Sequence, residues 1–255
     1  MFAILKREFL SYFRNPSGYI AIALFSFLSG YIFISNFSSG AVNISAEISS
    51  LRSYFVIIVP IITMGLFAED KKRGTEVLYY TTPIDLFSVV AGKFLAALAL
   101  YFVMFINVFV HMIVTKASKG VIPIGVLGSI IVFFFLASLF ISIGIFASVI
   151  TDSQIISAIA SFIMILLVQL ISTLSTLLGD AITALLSILG INSESANSVG
   201  DAISSGIQWL DPFSKTANFS YGVFSVTPLF FLISFTIVFL FLSFRILEKK
   251  RWTQN

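Results

Sequence analysis

Six long apolar runs decide what this chain can become. A helix needs roughly 20 mainly apolar residues to cross ~30 Å of hydrocarbon. The segments at about 17–36, 52–68, 90–114, 124–150, 154–178 and 226–246 meet that need. Hydrophobic residues make up 58% of the sequence and charged residues 11%, against about a quarter charged in a soluble domain. Lipid must therefore be the solvent for much of the chain. The expected fold is an all-α integral membrane protein with six transmembrane helices, no soluble domain and no internal repeat.

The first run is preceded by Met1–Asn15, where Phe2, Leu5, Phe9, Tyr12 and Phe13 recur at helical spacing and Lys6, Arg7 and Arg14 take other positions. That pattern predicts a helix lying in the membrane interface, basic face toward the headgroups. Asn15-Pro16 should end it, because the residue before proline avoids the helical region. The apolar run from Tyr19 to about Ile34 is longer than a secretory signal requires, so it is read as a retained span. With both termini cytoplasmic, that side holds Lys6, Arg7, Arg14, Lys71, Lys72, Arg73, Lys93, Arg245, Lys249, Lys250 and Arg251, leaving Arg52, Lys116, Lys119 and Lys215 outside. This 11-to-4 split agrees with the positive-inside rule and with an even number of spans. The segment 179–225 then lies outside and is expected to hold two short helices. One runs from Asp180 to Leu189 and stops at Gly190; the other opens at Gly200-Asp201 and closes at Asp211-Pro212. Asn192–Ser198 is read as a polar turn between them.

The charge that the spans exclude is concentrated in one connector, 69–89. Glu69, Asp70, Lys71, Lys72, Arg73 and Glu76 fall within eight positions. Gly74 can end one helix or adopt an unusual dihedral, and Thr75 can cap the next. Thr82-Pro83-Ile84-Asp85 reads as a further helix start, with threonine as the cap, proline first and an acid third. A helix over Thr75–Thr81 is too short to be stable alone and must pack on something. It offers Glu76 and Tyr80 one turn apart, with Val77, Leu78 and Tyr79 as further contacts. A solvated loop that fixes topology and touches anionic lipid would use the same charges. A docking element for a cytoplasmic protein would use the apolar residues as well.

The segment AEDKKRGTEVLYYTTPIDLFSVVAGKFLA resembles the stretch between spans two and three of ABC-2-type exporter permeases, most nearly the gliding-motility-associated branch. Ala68-Glu69-Asp70, Gly74-Thr75-Glu76, Thr82-Pro83 and Gly92-Lys93-Phe94 match in order and spacing. LKREFLSYFRNPSGYI is similar to that family's interfacial elbow helix; Leu210-Asp211-Pro212-Phe213 with Asn218-Phe219 and Gly222, and the LEKKRW tail, also match. Tyr79-Tyr80 stand where leucines are usual, and 180–205 matches nothing in the pattern. The resemblance implies a type V exporter-like architecture in a bacterial inner membrane. It implies a coupling helix that sits in a groove of a separate cytoplasmic ATPase. Two copies of that ATPase, binding ATP and Mg, would serve a pair of permease chains, with room for an accessory membrane subunit. Carried onto this chain, Glu69, Asp70, Lys71, Lys72, Arg73, Gly74, Thr75, Glu76, Leu78, Tyr79 and Tyr80 would meet the ATPase. The helix bearing Lys6, Arg7, Phe9 and Arg14 would lie close by.

The chain has no nucleotide site of its own: Gly92-Lys93 lacks the earlier glycine of a P-loop and is followed by Phe94. With no cysteine and one histidine, thiolate chemistry and histidine-pair zinc motifs are excluded, and no catalytic role is expected. Nucleic acid is not expected as a partner. Asn107 and His111 share a helix face, and Gln169 lies mid-run in the fifth segment. They are read either as interhelical hydrogen-bond partners or as part of a translocation path. Two other functional classes fit less well. One is an ATPase-coupled complex that signals to an envelope or motility partner without moving a solute. The other is a motor-free secondary transporter, which would require membrane acids that the apolar runs lack.

Overall fold

The computed structural model describes residues 1–38, 43–81 and 84–253, and among them there are helices and turns but no strand. Helix α1 (Phe2–Arg14) stops at Asn15, which is extended at φ −106°, ψ 151° ahead of Pro16. Its Lys6, Arg7 and Arg14 face outward while Tyr12 is buried and Phe9 half-buried. Helix α2 (Pro16–Ser38) follows directly.

The second apolar run does not form a straight span. Helix α3 (Ile44–Arg52) is bent by 60° from the stretch Phe55–Lys72, whose first part is α4 (Phe55–Thr63). Residues 44–51, expected to be part of a loop, are helical because Asn43 caps them by accepting from the Ala46 N–H at 3.2 Å. Glu47, Ile48 and Leu51 then turn inward. Arg52, expected outside, is buried at the bend. A bend frees backbone carbonyls that hydrocarbon cannot satisfy. The Gln169 amide donates to the carbonyls of Arg52 and Ser53 at 3.4 and 3.3 Å.

Past α4 come α5 (Ala68–Lys72), α6 (Val77–Thr81) and α7 (Leu86–Ala117). Thr82-Pro83, expected to open the third span, lie outside the described residues. Asp85, placed third in that reading, is instead the cap itself. Its carboxylate accepts from the Phe87 and Ser88 N–H groups at 3.1 and 3.2 Å, and a hydrogen bond from the Ser88 hydroxyl holds it below the usual carboxylate range. Helix α8 (Gly125–Ile150) is the hub, packed on α3, α4, α7, α9 and α13. Around it Phe25, Phe55, Tyr101, Phe105, Phe133 and Phe140 form a buried aromatic cluster, with Phe55 and Phe133 centroids 5.1 Å apart.

The fifth run, expected at 154–178, breaks at Leu170 into α9 (Gln154–Gln169) and α10 (Ile171–Ile188). Helix α9 is about 24 Å long and packs on α4 and α8, whereas α10 packs chiefly on α11 (Ser193–Gln208). The two short helices expected here are one longer antiparallel hairpin. Asp180 lies inside α10 rather than capping it, Asn192–Ser198 is the first half of α11 rather than a turn, and Gly200 is mid-helix. The stop at Gly190, with φ +80°, and the close at Asp211-Pro212 stand as read. A serine- and asparagine-rich stretch has little helical drive of its own. It gains order here because Gly179 and Gly200 let the two backbones meet: a Cβ on Gly179 would lie 2.9 Å from the Gly200 carbonyl oxygen. Asp211 caps α12 (Pro212–Thr216), and after a 3₁₀ turn at Ala217–Tyr221 the chain returns along α13 (Thr227–Thr253). Among the described residues, five helices are long and apolar enough to cross a membrane, and six if α3 and the bent stretch Phe55–Lys72 count as one span.

Candidate functional site

The charged connector is not a loose loop. Its centre is Lys93, which stands two turns into α7 with its side chain 1% exposed. Gly92 allows this placement, because a Cβ there would come within 3.0 Å of Ile4 on α1. The Lys93 ammonium pairs with Asp70 on α5 at 2.7 Å and with Glu8 on α1 at 3.1 Å, and donates to the Leu66 carbonyl. The ring of Phe67 lies 5.0 Å away. Arg7 pairs with Glu8 at 2.5 Å, so two cations meet two anions and the cluster is neutral. A buried ammonium is tolerated only under such pairing.

Tyr79 closes the cluster from α6. Its hydroxyl donates to Asp70 Oδ2 at 2.6 Å and accepts from Arg7 at 3.4 Å. Burial pushes the Tyr79 phenol above its ordinary value; Lys93 opposes this and Asp70 reinforces it, so the phenol remains a donor. The chain can double back between α5 and α6 because Gly74 sits at φ +69°, a region that a Cβ disfavours. The Thr75 hydroxyl donates to Asp70 Oδ1 at 3.1 Å.

A second set of bonds ties the connector to the bundle. Lys71 donates to the Val149 and Thr151 carbonyls at 2.5 and 2.6 Å and lies 3.3 Å from Asp152. A cation suits these carbonyls, which end α8 at the negative pole of its dipole. The Ser148 hydroxyl accepts from the Phe67 and Ala68 N–H groups at 3.0 and 3.1 Å, satisfying the start of α5. Ser148 is thus a cap supplied by a neighbouring helix.

The connector residues therefore divide into two faces. Asp70, Lys71 and Tyr79 point inward, although the sequence offered all three as surface. Glu69 pairs with Arg73 along the helix. Lys72, Arg73, Gly74 and Thr75 are exposed, Glu76 is half-buried, and Val77 and Leu78 are half-exposed at 50% and 55%. The side chain of Tyr80 lies outside the described residues. A cleft of about 630 Å³ opens between α1 and this connector, floored by Ile61, Ile62 and Leu66 and rimmed by Arg7, Glu69 and Arg73.

Asn107, His111 and Gln169 do not converge. Asn107 is half-buried on α7, His111 faces Glu47 of α3 at 2.7 Å, and Gln169 serves the bend at Arg52. Lys93, Glu8 and Glu47 escaped the sequence reading as site residues. The i, i+1 run Arg7-Glu8 hid one acid beside a base; Glu47 stood in what read as a loop. The signal for Lys93 was a lysine placed four residues into an otherwise apolar run.

No curated protein matches the chain. A family model described as ABC-2 family transporter protein matches residues 2–252, nearly the whole length. The chain belongs to the ABC-2 transporter family, and is a multi-pass membrane permease component of an ABC transporter whose family works with an ABC ATPase.

Proposed function

We propose that this permease exports a substrate using ATP and Mg bound by a separate cytoplasmic ATPase, which docks on the connector and α1. One observation carries the reading. The connector is fastened inwardly to α1, α7, α8 and the α8–α9 turn through Asp70, Lys71, Tyr79 and Lys93. Its outer side presents Lys72, Arg73, Val77 and Leu78. A part that is stiff within and both charged and apolar without can transmit a push, because a ligand shifts a conformational equilibrium only through contacts that differ between states. Two ATPase copies would act on two permease chains in the inner membrane, both with N- and C-termini in the cytoplasm. The second copy would pack along exposed apolar residues that recur at helical spacing through α9 and α10, Ile156, Ile163, Leu167, Leu174 and Leu178 among them. The connector motif pattern favours the gliding-motility-associated branch.

The docking face is tested by Leu78→Asp. Purified in mild detergent from its native host, the wild-type chain should bring down a P-loop ATPase. The variant should insert normally and lose about five- to thirtyfold in ATPase recovery, as removal of a central apolar contact of about 1–2 kcal/mol implies. Equal recovery from both would overturn the docking assignment. The signalling alternative draws on one feature, the α10–α11 hairpin, which joins the bundle mainly through α9 and could serve an envelope partner. A purified complex that hydrolyses ATP yet moves no solute would favour it.

A further inference from the structure

A second buried ionic cluster lies away from the connector, and the coupling reading makes no use of it. Glu47 stands on α3 and is 1% exposed. Its Oε1 accepts from the Ser29 hydroxyl of α2 at 2.8 Å and faces His111 Nδ1 of α7 at 2.7 Å. Phe33 of α2 stacks on the imidazole with centroids 4.2 Å apart and planes within 10°. A carboxylate oxygen and an imidazole nitrogen cannot meet lone pair to lone pair at hydrogen-bond distance, so one proton lies between them. Three helices are joined at a single oxygen atom.

The remainder of α3 is poorly satisfied. Ser45 Oγ, Glu47 Oε2 and Arg52 Nε are all buried without a hydrogen-bond partner among the described residues. Three such atoms on nine residues are unusual, because buried polar atoms are nearly always paired. Each disfavours the docked position relative to one that water can reach. Helix α3 also has a ready axis of movement, the 60° bend at Ser53-Tyr54. It is a short helix with a polar face pressed into an apolar core, fixed near its middle by the shared proton and at its end by Gln169.

We propose that α3 is a gate in the membrane domain, hinged at Ser53-Tyr54 and latched by the Glu47–His111–Ser29 contact, and that its release opens a path for a polar solute. The side chains that α3 would bring to water carry both charges and a hydroxyl: Glu47, Arg52 and Ser45. Such a lining suits a hydrophilic substrate and penalises a lipid-like one. The assignment stands whether or not the connector is the ATPase dock, because it rests on residues of α2, α3, α7 and α9 and on the bend at Ser53-Tyr54, all outside the connector.

The chain has no cysteine and a single histidine, so each probe reports one place. Spin labels at Ala46→Cys on α3 and Ile113→Cys on α7, in the full chain in lipid nanodiscs, should give one short distance. Adding Glu47→Gln, or His111→Gln, should shift part of the population to a longer distance. In ¹⁵N-histidine spectra the wild-type ring should carry its proton on Nδ1, and Glu47→Gln should change that signature. Ser45→Cys should react with a charged, water-soluble thiol reagent at least about tenfold faster once Glu47→Gln is present, the loss that a charge-assisted hydrogen bond implies. If Glu47→Gln does not fold, Ser29→Ala removes a donor from the same oxygen and is read in the same way. Unchanged distances and unchanged labelling in the latch variants would overturn the gate. An unchanged ring spectrum would overturn the shared proton that fastens it.

Discussion

Lys93 shows how a single residue sets the local electrostatics. Its ammonium is surrounded by Asp70, Glu8 and the Leu66 carbonyl, with Arg7 balancing the second acid. Removing one member of a buried ionic group leaves the others uncompensated, at a cost of about 3–5 kcal/mol. Lys93→Met should therefore lower the thermal unfolding midpoint of the detergent-solubilised chain markedly. Lys93→Met combined with Asp70→Asn should recover part of that loss by withdrawing one stranded acid. Circular dichroism on heating checks both, and a Lys93→Met chain as stable as wild type would remove Lys93 from the centre of the connector. At this scale the site was half legible. The density of charge in 69–76 marked the segment, but not which residues turn inward. Asp70 and Lys71 are neighbours of the same polarity class as Lys72 and Arg73. Their inward direction is set by carbonyls of α8 and an ammonium of α7 that lie far along the chain.

At the scale of elements, pattern and packing diverge most in α3 and in the α10–α11 hairpin. The amphipathic spacing of Met1–Asn15 and the proline after it were enough to place α1, because both are local effects. The hairpin lacks such a local cause. Its contact between Gly179 and Gly200 tolerates no side chain: a Cβ on Gly200 would lie 2.7 Å from the Gly179 carbonyl oxygen and collide with the Thr183 hydroxyl. Gly200→Val should separate the two helices while leaving the bundle folded. Limited proteolysis should then cut within 189–205 under conditions that spare the wild type. Resistance equal to wild type would show that another force orders α11. The bend between α3 and α4 has the same character, since Gln169 satisfies it from more than a hundred residues away.

For the molecule as a whole, the connector and the hairpin stand at opposite ends of α9, the first reached through Lys71 and Asp152 and the second through α10. Arg73→Cys and Ser195→Cys, both at exposed positions, should accordingly label from opposite sides of the membrane. In intact cells an impermeant thiol reagent should reach only Ser195→Cys, and labelling of Arg73→Cys would reverse the proposed orientation and remove the ATPase from the connector. The sequence by itself determined the class of the molecule, because the price of an unpaired backbone in lipid admits helices for runs this long and apolar. It also determined where charge could gather, since only the gaps between those runs can hold it. Tertiary structure alone decided which charges are internal fastenings, that Glu47 belongs to the core, and that two runs are broken. Those outcomes depend on partners supplied by distant segments, and a pairing energy between distant segments leaves no periodic trace in either of them.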